Sequence, residues 1–173
     1  MSRFSLVTHW HLDAPIDRVW DAIFHAEEWP RWWKYVERVD DIAAGSPSGI
    51  GAIRRFKWKT ALLYTLTFDL RATLIEPPYA IKGTASGEVE GVGVWRLTAR
   101  DGLTRVRHEW DVRPTKAWMT ALAPVAAPAF RWNHVHVMRA GGLALARRLG
   151  ARLCLAETRG RSPHARRLKT EKR

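Results

Sequence analysis

The feature that most constrains this chain is the alternation of apolar and polar residues between positions 52 and 114. Phe56 and Trp58 fall in phase with Arg54. Tyr64, Leu66, Phe68, Leu70, Ala72 and Leu74 fall opposite Thr65, Thr67, Asp69, Arg71 and Thr73. Tyr79, Ile81, Gly83 and Ala85 share one side of the next run, and Gly91, Gly93, Trp95, Leu97 and Ala99 share one side of the run after it. Val106, His108, Trp110 and Val112 then oppose Arg105, Arg107, Glu109, Asp111 and Arg113. Successive side chains of a strand point to opposite faces, so each run is a strand with one apolar face. Pro77-Pro78 and Asp101-Gly102 break the runs as turns. Consecutive one-sided strands joined by short turns make an antiparallel sheet that must bury one face under something else.

Two helical regions are available to cover it. Residues 4–13 read as a first strand. After Asp13-Ala-Pro15, the stripe Ile16, Val19, Trp20, Ile23, Phe24 marks a helix, and a second short helix follows Pro30. The dominant helix is expected from Pro128 to about Leu155, because Phe130, His134, Val137, Gly141, Leu145 and Leu149 recur at steps of three and four. Gly141-Gly142 in its middle costs roughly 1 kcal/mol per glycine relative to alanine, which implies close approach to a strand or room for a ligand. The fold class expected is α+β, with a curved antiparallel sheet around a long C-terminal helix.

At 173 residues the chain holds one domain, read as residues 1–156, followed by a basic tail over 157–173. From Arg147 onward there are ten Lys and Arg against two acidic residues, so most of the net charge of +12 lies at that end. The tail is read as a solvated end or as a contact for an anionic surface, with no strong nucleic-acid signal. One cysteine, Cys154, excludes an internal disulfide. Residues 1–11 have no apolar leader pattern and no run is long enough to span a bilayer, so the expected location is cytoplasmic. No glycine-rich phosphate loop and no nucleophile elbow is present, and His9 and His11 find no third ligand, so no cofactor and no metal is expected. Tryptophans such as Trp29 or Trp118, if exposed, would permit a homodimer.

Several segments resemble the SRPBCC superfamily, also called START-like or Bet v 1-like. The nearest likeness is to its polyketide cyclase/dehydrase and lipid transport type. They are Asp13-Ala-Pro-Ile-Asp-Arg-Val-Trp-Asp21, Trp29-Pro-Arg-Trp-Trp33, Lys57-Trp-Lys59 with Tyr64, Gly87 to Leu97, Thr104 to Val112, and Phe130-Arg-Trp-Asn-His134 through Val137-Met-Arg139. The chain departs from the family pattern at Val135-His136, where an acidic residue and a tryptophan are expected. The resemblance implies a helix-grip fold with a cavity between sheet and long helix that holds a lipid or polyketide-like molecule.

On that reading Phe56, Trp58, Tyr64, Phe68, Trp95 and Trp110 wall the cavity from the sheet. Asn133, His134, Val137, Met138 and Gly141 face it from the helix. The alternative is that the same rings fill a solid core. His108 and Arg54 are the catalytic candidates, an acid or base and an enolate-binding cation, if the protein is a cyclase or aromatase rather than a carrier. Their alternatives are a core histidine and an arginine with its head in water. A third reading is an interaction module that uses the basic tail on nucleic acid or a membrane.

Overall fold

The computed structural model describes residues 3–160. It contains eight strands and three α-helices: β1 Phe4–Leu12, α1 Ile16–Phe24, α2 Trp29–Trp32, β2 Val36–Ala43, β3 Ile53–Lys59, β4 Thr65–Glu76, β5 Ala80–Gly87, β6 Val89–Arg100, β7 Leu103–Pro114, α3 Ala117–Leu149 and β8 Leu153–Gly160. All eight strands form one antiparallel sheet in the order β2-β3-β4-β5-β6-β7-β1-β8. The curved sheet and the long helix make the helix-grip fold, as the alternating runs and the C-terminal periodicity imply.

The first helices form where the sequence marks them. Pro15 is extended before α1, Asp17 stands in its first turn, and Val19, Trp20, Ala22 and Ile23 are buried along one side. Pro30 occupies the first turn of α2, where its missing N–H costs nothing. The core joins Trp10 and Leu12 of β1, Val19 and Ile23 of α1, Trp29, Trp33, the inner residues of the sheet, and Val137, Met138 and Leu145 of α3. Trp29 is 5 % exposed and touches the rings of Trp33, Phe56, Trp58 and Trp95. It is a core residue and not the surface tryptophan that a dimer contact requires.

Three expectations about the C-terminal third are corrected. The helix starts at Ala117, so Pro128 lies inside it and does not open it. It ends at Leu149, where Gly150 adopts φ 62° and its N–H reaches back to Ala146 and Arg147. The left-handed cap turns the chain by bonding the last carbonyls, and glycine takes that conformation without steric cost. Residues 153–155, read as the end of the helix, belong to β8, which pairs antiparallel with β1. Arg152 is therefore outside the helix, ion-paired to Asp13 at 3.0 Å. Residues 157–160, assigned to the tail, complete the same strand, and Thr158 shares a hydroxyl–hydroxyl hydrogen bond of 2.8 Å with Thr8. The rest of the basic tail lies outside the described residues.

Gly141 and Gly142 are explained by tryptophans. A Cβ on Gly141 would stand 2.2 Å from the Trp33 indole, and one on Gly142 would stand 2.8 Å from Nε1 of Trp10. The helix backbone therefore presses onto two indoles, one from the sheet and one from the residue after α2.

Candidate functional site

Between the sheet and α3 lies a cavity of about 160 Å³. Phe56 and Trp58 of β3, Tyr64, and Phe68 of β4 line one side, and Trp95, His108 and Trp110 of β6 and β7 line another. Asn133, His134, Val137 and Met138 close it from α3. All of these were expected from the sequence. The cavity compares in size with cavities of about 150 Å³ known to admit benzene, so it suits a ring or a small fused pair without rearrangement.

Two expected residues are not in its lining. Gly141 faces Trp33. Arg54 lies at the far end of β3, where its guanidinium bonds Asp41 at 2.9 Å, Glu27 at 3.1 Å and the carbonyl of Phe24 at 2.9 Å. It lines a separate pocket of about 90 Å³ with Ile23, Phe24 and Ala26. An arginine in phase with two aromatics was rightly placed on the inner face, but the acidic residues flanking that end decide where its head goes. Arg54 and His108 are therefore not brought together.

Residues that the sequence reading did not place at the site also line it. Trp29 and Trp33 project from the α2 segment, Phe4 and Leu6 from β1, and Met119 and Phe130 from α3. Trp33 is fixed by a hydrogen bond from its Nε1 to the carbonyl of Val137, 3.1 Å, and Trp29 by one to Ala22, 3.0 Å. The signal was the density of tryptophan in residues 29–33, which the resemblance used as a family marker without assigning it to the cavity. The small residues Gly83 and Gly93 on the inner side of the sheet leave no open space. The Trp110 ring stands 2.9 Å from where a Cβ of Gly93 would be, and the Leu70 side chain 2.8 Å from that of Gly83.

The polar part of the lining is a histidine pair. His108 lies between the rings of Trp95 and Trp110, with centroids at 4.1 and 5.9 Å. The His134 ring is nearly parallel to it at 6.4 Å. Burial pushes the pKa of His108 down to about 3, with a further push from His134, and burial pushes His134 down to about 4. His134 as a residue keeps some exposed surface, but its Nε2 is fully buried. Both rings are therefore neutral at pH 7. His108 Nδ1, His134 Nε2 and Trp58 Nε1 are buried with no hydrogen-bond partner in the described protein. Asn133 is committed: its Oδ1 accepts from the Ala61 N–H at 2.7 Å, tying the β3–β4 hairpin to α3.

A groove of about 660 Å³ runs between the start of β1 and α3, lined by Arg3, Arg131 and Trp132 among others. Arg131 also borders Gly160, the last described residue. No helix of the described residues is long and apolar enough to cross a membrane.

Comparison with solved structures places the fold among known ones. The Zhui aromatase/cyclase from a Streptomyces species superposes with a TM-score of 0.71 at 17 % identity, over 86 % of this chain and 94 % of that one. A START superfamily protein from Mycobacterium smegmatis gives 0.68 at 12 % identity, over 84 % and 97 %. The di-domain ARO/CYC BexL gives 0.68 at 20 % identity over 87 % of this chain, which spans about half of that protein, 51 %. Among curated proteins, none matches the sequence. The sequence profile described as polyketide cyclase / dehydrase and lipid transport matches residues 3–150, from the first described residue to the helix cap at Gly150. Covering most of the chain and agreeing with the helix-grip fold, this match shows that the chain belongs to the polyketide cyclase / dehydrase and lipid transport family of the SRPBCC superfamily.

Proposed function

We propose that this protein binds an uncharged, largely apolar small molecule in the cavity between the sheet and α3, and acts as a carrier. The observation that carries the proposal is an aromatic cavity whose lining holds three buried nitrogens without protein partners, on Trp58, His108 and His134. A buried polar atom left unpaired costs about 1–3 kcal/mol, which a hydroxyl or carbonyl on the ligand would offset. A neutral imidazole provides one donor and one acceptor, and the indole provides a donor. A carboxylate fares worse. The one lining cation, Lys59, has a side chain 60 % exposed and leans toward Glu37. An anion inside would then lose its water and meet two neutral rings.

The cyclase alternative uses the same cavity. Against it stands the depressed basicity of His108, since a general acid or base works best with a pKa near the working pH. The expected partner Arg54 lies in another pocket, held by two carboxylates.

The test is a titration with 2-naphthol, followed by quenching of tryptophan fluorescence. Saturable binding is expected, lost in Val137→Trp, which fills the cavity, and at least tenfold weaker for 2-naphthoate at neutral pH. No saturable binding by 2-naphthol, or binding that Val137→Trp leaves unchanged, refutes the proposal.

A further inference from the structure

The outer side of α3 is as apolar as its inner side. Trp118, Leu122, Val125, Trp132 and Leu143 recur at spacings that place them within roughly 100° of arc on a helix of 3.6 residues per turn. All five are exposed, from 40 % for Leu143 to 83 % for Val125. A surface helix ordinarily turns charged or polar residues to solvent on this side, and a contiguous exposed apolar stripe marks a contact surface. The two indoles are held in place rather than loose. Trp118 meets the edge of Tyr64 at 5.5 Å, and Trp132 stacks on His136 at 5.3 Å.

The charge around the stripe identifies what it fits. From residue 112 to residue 156 the sequence has no Asp or Glu. Of the basic residues in that span, Arg113, Lys116, Arg148 and Arg152 pair with Glu90, Glu88, Glu28 and Asp13 of other elements. Arg139 and Arg147 fall within the same arc as the apolar residues. Neither makes an ion pair with a carboxylate among the described residues. A face with indoles and aliphatic residues along its length, and two arginines without a carboxylate partner in the same arc, matches the layered chemistry of a lipid surface. Indoles favour the headgroup level, and arginines favour the phosphates of anionic lipids. A second copy of the chain would bring the same arginines against each other.

We infer that the outer face of α3 docks the protein on an anionic lipid surface, with Trp118, Leu122, Val125, Trp132 and Leu143 at the interface and Arg139 and Arg147 on the phosphates. Because α3 is also a wall of the cavity, docking would set that wall against the bilayer, in reach of an apolar solute dissolved there. The inference rests on the exposed face and holds whether or not the cavity binds 2-naphthol.

The test is co-sedimentation of the full chain with phosphatidylcholine vesicles, with and without about 30 % phosphatidylglycerol, at low ionic strength. Binding at least tenfold tighter to the anionic vesicles is expected. Val125→Asp with Leu143→Asp changes two exposed side chains, so the melting temperature should hold while binding falls at least tenfold. Arg139→Gln with Arg147→Gln should reduce the preference for anionic vesicles. Failure of the wild-type chain to bind either vesicle overturns the inference, and that is the result expected if an acidic protein is the true partner. Vesicle binding unchanged in the two aspartate substitutions also overturns it, by assigning the binding to basic residues elsewhere. So does a wild-type dimer in light scattering that becomes a monomer in the aspartate variant, because a second copy then covers the face.

Discussion

The buried histidine pair makes stability depend on pH in a window set by its own chemistry. In the unfolded chain a histidine titrates near 6.5, whereas in the fold His108 and His134 titrate at about 3 and about 4. Below pH 6.5 the unfolded state takes up protons that the folded state refuses, so stability is full above that pH and falls as pH drops toward the folded values. One pH unit is worth about 1.4 kcal/mol per proton, so at pH 5.0 each histidine has cost about 2 kcal/mol and the pair about 4 kcal/mol. Against a total stability of roughly 5–15 kcal/mol, that is a large part. Asp69, which a hydrogen bond from Arg55 holds below the usual carboxylate range, titrates below pH 5.0 and does not disturb a comparison made above it. His9 and His11, also lowered by burial, act in the same direction, so the decisive quantity is a difference between variants. Urea unfolding followed by tryptophan fluorescence gives the loss of stability between pH 7.5 and pH 5.0. The loss should shrink by about 2 kcal/mol in His134→Gln and by about 4 kcal/mol when His108→Gln is added. An equal loss in wild type and variants would mean that neither ring is buried neutral, and the donor–acceptor reading of the cavity would fail with it.

Two further outcomes follow from the packing of α3 and β8. Gly141→Ala gains about 1 kcal/mol of helix propensity but drives a methyl into the Trp33 indole, which is 1 % exposed and bonded to Val137. Over-packing of about 3 kcal/mol should win and lower the melting temperature by about 4–8 °C; an unchanged or higher value would contradict the close approach. A chain ended after residue 156 should melt below one ended after residue 160, because it loses the pairing of residues 157–160 with β1 and leaves the buried Thr8 hydroxyl without Thr158. Equal melting temperatures would show that the strand ends before 157.

The legible parts of this fold are those in which one residue reports its own surroundings. Alternation in residues 52–114 fixed the strands to within a few residues, since a strand with one buried face must alternate. It also selected Phe56, Trp58, Phe68, Trp95, His108 and Trp110 as inward-facing, and all of them line the cavity. The C-terminal third failed for a physical reason. Residues 117–127 are apolar on the outer side of α3 as well as the inner, so no periodic contrast marks them as helix, and Pro128 offered a conventional start. Leu153 to Leu155 continue an apolar pattern after Gly150, and a short run of that kind reads equally as helix or strand. Only the positive φ of Gly150 separates the two, and the pairing with β1 then follows.

Arg54 shows the same limit in the site. Its face was readable from phase, but its partner was not, because Glu27 and Asp41 reach it from separate segments of the chain. The unreadable features of α3 and Arg54 have one cause. Phase tells which side of an element a residue occupies, and only the packing of other elements tells whether that side meets a cavity, a carboxylate or nothing. The same blindness hid the outer stripe of α3, where apolar residues that sequence patterning would assign to a core stand in solvent.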